Sequence, residues 1–204
     1  IKSFGLFPNA TRQYIDDVII GTDNGRNFVI IETIFDDYNE SSVADFKGLV
    51  VKVQMNKSFT GETVVGEKGK VVKKKGFENV VLESIDFMQA RKVYSTDQIE
   101  ARYILTTDFI ERLESLAIAF KQEYQLTMSK TQENFSKNVT IYNGIVSAIF
   151  TEGFVYLFIP TNVNFFEIDI ETLLNSEQYY KIYYELEAIL SVFEYLNMDS
   201  KTGL

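Results

Sequence analysis

Short runs of β-branched and aromatic residues, broken by Gly, Asn and Asp, dominate the chain from Tyr14 to Glu83. This pattern is typical of the short strands of an antiparallel sheet. Asp23-Asn24-Gly25 favours a hairpin turn between the first two runs, because Asn and Gly accept positive φ at low cost. The predicted strands are Asp17–Thr22, Asn27–Phe35, Gly48–Met55, Glu62–Gly66, Lys70–Lys74 and Asn79–Ser84.

The apolar period becomes helical after Ser95. Ser95-Thr96-Asp97-Gln98 has the spacing of a capping box, so a short helix is predicted behind Ser95. Thr106 is the predicted N-cap of a second helix, because an apolar stripe at steps of three and four follows it. The stripe consists of Phe109, Leu113, Leu116 and Phe120.

Strand signals return at Val139–Phe150 and Phe154–Ile159, and Glu152-Gly153 between them predicts a tight turn. A final amphipathic helix is predicted from Ser176 to Asn197. The predicted fold is therefore α+β: one domain over residues 1–204, with a mainly antiparallel sheet, a two-helix insertion in the middle and a long amphipathic C-terminal helix.

The composition excludes several kinds of chemistry. The 204 residues contain no His and no Cys, which rules out Ser–His–Asp and Cys–His catalysis and Cys-based metal sites. The stretch Gly61–Lys68 resembles a phosphate loop, but Glu67 stands where that motif requires Lys. No cofactor or metal site is predicted. The net charge of −9 argues against nucleic-acid binding, because the chain repels phosphate backbones.

A cluster of lysines interrupts this acidic chain. It consists of Lys68, Lys70, Lys73, Lys74 and Lys75. The cluster can contact anionic lipid or a partner, or it can be a solvated hairpin that guards a sheet edge. The tyrosines of the predicted C-terminal helix leave a similar choice between a partner surface and packing at the rim of the core.

Residues 87–113 resemble a bacterial family, domain of unknown function 3137. The resemblance is carried by Val93-Tyr94-Ser95, Asp97-Gln98, Glu100-Ala101-Arg102-Tyr103, Leu105-Thr106 and Glu111-Arg112-Leu113. Thr107 departs from the pattern, in which proline is usual. The resemblance implies hydrophobic helices N-terminal to a soluble part, and hence the cytoplasmic side of the bacterial inner membrane. Since the chain begins at Ile1 rather than Met, we expect a soluble fragment of a longer, membrane-anchored protein, with no transmembrane segment of its own.

The polar residues of this segment have two interpretations. They can pair and cap around a structural corner, or they can form a polar site of Tyr94, Glu100, Arg102 and Tyr103. The resulting functional hypothesis is a non-enzymatic binding or regulatory module of an inner-membrane protein, with a protein or an anionic membrane surface as its partner. The alternative is a hydrolase or transferase that uses carboxylates, with or without magnesium.

Overall fold

The computed structural model describes residues 2–23, 25–37, 44–55, 58–116, 118, 145–161, 164–167, 183 and 187. Eight strands are described: β1 Arg12–Asp23, β2 Arg26–Asp36, β3 Phe46–Gln54, β4 Thr63–Glu67, β5 Glu78–Val80, β6 Arg91–Ser95, β7 Ser147–Thr151 and β8 Phe154–Pro160. The helices described are a 3-10 turn at Lys2–Phe4, α1 Ile85–Ala90, α2 Gln98–Ile104 and α3 at 107–116.

All eight strands form one antiparallel sheet in the order β1-β2-β3-β8-β7-β4-β6-β5. The two hairpins predicted from turn residues are confirmed, because β1 pairs with β2 and β7 pairs with β8. Gly25 and Glu152 both have positive φ in these turns. Other neighbouring strands are far apart in sequence: β3 pairs with β8, where Gly48 lies opposite Pro160.

The sheet has two buried faces, because successive residues, which point to opposite faces, are buried along β3, β4, β7 and β8. The first face includes Val51, Val65 and Val93, and it packs against α1, α2 and α3. The helical stripe predicted behind Thr106 is confirmed where it is described, since its members at 109, 113 and 116 are buried in this core.

The second face packs against the N-terminal segment and the loop that follows β4. Leu6, Phe7 and Val71 lie against Val64 and Phe158 there. At Gly66, a Cβ atom would come within 2.7 Å of the Val71 side chain, so the glycine allows this loop to approach the sheet. These contacts cover only part of the second face.

The predicted fold class was wrong. The described residues form an eight-stranded antiparallel sheet with short helices, and no long C-terminal helix is among them. The segment predicted as that helix lies outside the described residues except for Tyr183 and Glu187, which are helical. Lys70–Lys74 is not a strand, since only isolated bridges occur at Lys68 and Val71.

Neither helix α1 nor strand β6 was predicted, and in β6 a charged residue occupies a core position. Arg91 is 5% exposed, its guanidinium lies 4.5 Å from the centre of the Phe87 ring, and its Nη1 donates to Glu114 at 3.2 Å. A sequence pattern that assigns Arg to the solvent cannot identify such a strand. Helix α2 also begins differently from the prediction, because Asp97 rather than Ser95 is its N-cap.

Among the helices that the structure describes, none has the length and apolar character needed to cross a membrane.

Candidate functional site

Glu100, one of the four residues of the predicted polar site, holds the loop in front of β4. Its two carboxylate oxygens accept from the backbone N–H of Thr60 at 2.9 Å and of Gly61 at 2.7 Å. A carboxylate that accepts two backbone donors fixes the loop firmly, because charge-assisted hydrogen bonds are stronger than neutral ones. Glu100 therefore has a structural task at the corner between α2 and β4.

The other three residues of that predicted site are placed apart. Tyr94 lies on the second face of the sheet, where it packs beside the cluster of Val64. Helix α2 packs against the first face. On this helix, Arg102 donates to the Gln98 carbonyl at 2.9 Å, and Tyr103 is exposed. The structure brings Glu100, Arg102 and Tyr103 onto one helix, with Tyr94 on the opposite side of the sheet.

Ser95 connects the corner to the sheet from a fully buried position. Its hydroxyl lies 2.9 Å from Thr63 Oγ1, and it is within hydrogen-bond distance of the Glu62 carbonyl and of the backbone of Asp97. Asp97 Oδ1 in turn accepts from the N–H groups of Ile99 and Glu100 at the start of α2. The polar residues at this corner are thus joined to backbone groups of the same corner.

The lysine cluster lies on the irregular loop after β4. Lys70 Nζ is 3.3 Å from Glu67, and Lys73 Nζ is 2.8 Å from Glu78. Lys68 and Lys75 are exposed, and Lys74 is half-buried. Two of the five positive charges therefore face a carboxylate, which weakens the local positive potential.

A buried carboxyl group lies near the opposite end of the sheet. Glu32 on β2 accepts from the Phe165 N–H at 3.0 Å, which ties residues 164–167 to the first face. The pKa of Glu32 is raised to about 7: burial is the largest cause and the charges of Asp16 and Asp17 add to it, while the Phe165 hydrogen bond and Lys47 act in the opposite direction. Among the described residues, no group of three or more acidic side chains has a geometry that could hold a metal ion.

A β-bulge in β1 sets this acidic environment. The pairing register jumps between Ile15 and Val18, so Asp16 and Asp17 together stand opposite Glu32. Burial raises the pKa of Asp17, and repulsion from Asp16 and Glu167 adds to the effect. We call Asp16, Asp17, Glu32 and Glu167 the acidic bulge.

Strand β1 is the outer strand at this end of the sheet and exposes several apolar side chains. Within the described ranges, β1 has 12 residues and pairs with β2 alone. Tyr14, Ile15 and Val18 each expose about half of their surface, and Ile20 is 76% exposed. A long edge strand with exposed β-branched residues is a template for pairing with another chain.

The apolar side chains of β1 continue onto an open part of the second face. The register places Ile20 beside Val29, Val29 beside Lys52, and Lys52 beside Tyr156. The Lys52 ammonium lies 4.0 Å from the centre of the Phe154 ring and 5.4 Å from that of Tyr156. This row is only partly buried, in contrast to the covered half of the same face.

The opposite edge of the sheet is much less suited to pairing. Strand β5 has three residues, and Glu78 within it is tied to Lys73. The sequence pattern predicted a strand at Asp17–Thr22 but did not indicate that β1 is an edge. The uninterrupted Val18-Ile19-Ile20 run was the signal available, yet a buried central strand has the same signal.

The fold and this surface define an antiparallel sheet domain with an exposed apolar edge strand. Residues 44–135 match the model of a family described as "Protein of unknown function (DUF3137)", which confirms the resemblance seen in the sequence. Strands β1 and β2 precede the matched residues. The search of curated proteins gave no match.

Among solved structures, the chain is similar to the crystal structure of the mycobacterial trehalose monomycolate transport factor A, TtfA. The sequence identity is 12%, the match covers 89% of this chain and 73% of that one, and the TM-score is 0.40. A likeness this distant carries no inference about fold or function.

Proposed function

We propose that the chain is a non-enzymatic binding module of a bacterial inner-membrane protein and that it holds an extended segment of a partner protein along β1. The observation that carries the proposal is the concentration of exposed apolar side chains on the strand at the end of the sheet. Strand addition suits such an edge, because main-chain hydrogen bonds supply affinity and alternate side chains supply specificity. The inner-membrane context rests on the family resemblance.

The geometry of the polar groups favours binding over catalysis. Glu32 has a pKa suited to proton transfer near neutral pH, but it is buried and one of its oxygens accepts from Phe165. Glu100 is engaged by two backbone donors. Nothing in the part of the chain that the structure describes favours a hydrolase or transferase that uses carboxylates, so we propose no second function.

The test uses peptides selected by display on the immobilised chain and a matched pair of variants. Ile20→Lys changes an isoleucine that is 76% exposed on β1, and Ile85→Lys changes one that is 73% exposed on α1. We expect selected peptides to bind Ile20→Lys at least about tenfold more weakly than the unmodified chain, and Ile85→Lys within about twofold, by calorimetric titration. Amide hydrogen exchange should slow in β1 when peptide binds.

Peptides that bind both variants equally would overturn the proposal. The proposal would also be overturned if no selected peptide depended on β1, while the chain bound phosphatidylserine vesicles and Lys68→Glu/Lys75→Glu abolished that binding. That second result would assign the function to the lysine cluster and to a membrane partner.

A further inference from the structure

The two sides of β1 differ in chemistry. Ile15, Val18 and Ile20 pair with residues of the second face of the sheet, as the register with β2 shows. Asp16 and Asp17 stand opposite Glu32 in the register, and Glu32 lies two residues from Ile30 and therefore on the first face. The bulge is what separates them, because one extra residue lets the apolar side chains before and after it share one face.

The acidic side of the strand is electrostatically unbalanced. The charges of Asp16 and Asp17 both raise the pKa of Glu32, and Asp16 and Glu167 raise that of Asp17. Lys47 is the cation that acts in the opposite direction on Glu32. Asp16, Asp17 and Glu167, beside the partly ionised Glu32, make a region of negative potential that a cation would relieve.

We infer that the segment bound along β1 is a basic, amphipathic strand in which lysine or arginine alternates with apolar residues. This inference rests on the proposed function and specifies its partner. A strand added to β1 presents its side chains alternately to the two faces of the sheet. Its apolar residues then extend the row of Val18 and Ile20, and its basic residues lie beside Asp16 and Asp17.

A second copy of this chain is a poorer occupant of the same edge. Antiparallel pairing of two β1 strands would bring two acidic bulges together, and the chain already carries a net charge of −9. Like charges across a strand pair are destabilising, so the bulge guards the edge against self-association while it favours a basic partner.

The probes are three synthetic nine-residue peptides in which Val alternates with Lys, with Glu or with Thr. The proteins are the unmodified chain, Asp16→Asn/Asp17→Asn, and a control, Glu83→Gln/Glu111→Gln, which removes the same charge from exposed positions elsewhere. The test variant is expected to fold, because Asp17 is repelled in the native state and loses that repulsion as Asn. Binding is measured by calorimetric titration at low and high salt.

We expect the Lys peptide to bind the unmodified chain at least about tenfold more tightly than the Thr peptide, and the Glu peptide to bind most weakly. Asp16→Asn/Asp17→Asn should weaken Lys-peptide binding by about tenfold, and the control by less than twofold. Raising the salt concentration to about 0.5 M should reduce the difference between the Lys and Thr peptides.

If the Lys and Thr peptides bind with equal affinity and Ile20→Lys still abolishes binding, the inference that the partner is basic is refuted. The proposed function, binding along β1, is then unaffected. Display-selected peptides that ignore Ile20 would instead overturn the proposed function itself. A dimer of the unmodified chain in sedimentation, abolished by Ile20→Lys, would assign the edge to a second copy and overturn this inference.

Discussion

Glu32 should make the stability of the fold depend on pH in a way that a single substitution removes. Its pKa rises from an ordinary value of 4.5 to about 7 in the folded chain. Between these two values the folded state binds more protons than the unfolded state, so stability falls as pH rises. The contribution is fully present below about pH 4.5 and is lost once the pH passes about 7.

The size of the effect follows from the two pKa values. Their difference, at about 1.4 kcal/mol for each pKa unit, gives about 3 kcal/mol as the penalty for holding Glu32 ionised at pH 8. Glu32 is 4% exposed, so solvent screens this penalty little. Glu32→Gln keeps an oxygen that can accept from the Phe165 N–H and removes the charge.

Urea unfolding followed by far-UV circular dichroism, at steps from pH 4.5 to 8, measures the effect. We expect the free energy of unfolding of Glu32→Gln to exceed that of the unmodified chain by up to about 3 kcal/mol at pH 8, and the two to converge near pH 4.5. Glu83→Gln, at an exposed position, should follow the unmodified chain throughout. Parallel pH profiles for Glu32→Gln and the unmodified chain would refute the reasoning.

Two further predictions concern packing and the corner at α2. Glu114→Ala should cost about 2 kcal/mol in unfolding free energy, because it removes the carboxylate that accepts from the buried Arg91 guanidinium, while the exposure of Glu114 limits the loss. Arg91→Met should cost less than about 1.5 kcal/mol, and the reverse order in urea unfolding would contradict the account. Glu100→Ala should lower the free energy of unfolding by about 2 kcal/mol, because two hydrogen bonds to backbone N–H groups are lost. Arg102→Ala, at an exposed position on the same helix, should lower it by less than about 0.5 kcal/mol, and equal losses would show that the Glu100 contacts contribute little.

Local signals in the sequence determined the features that depend on neighbouring residues. The hairpin turns at Gly25 and Glu152-Gly153 and the cap at Thr106 depend on short-range backbone geometry. The absence of His and Cys likewise excludes their chemistry whatever the fold. The helix cap at Asp97 lay two residues from the predicted one, because Ser95 uses its hydroxyl in the sheet corner instead.

Tertiary structure decided which strand is an edge and which charges meet. Val18-Ile19-Ile20 has the pattern of a central strand, and only the strand order places it at the end of the sheet. Asp16, Glu32 and Glu167 are far apart in sequence, and a bulge and the return of the chain after β8 bring them together. Periodicity reports the burial that a residue prefers, whereas pairing between distant segments decides the neighbours that it receives.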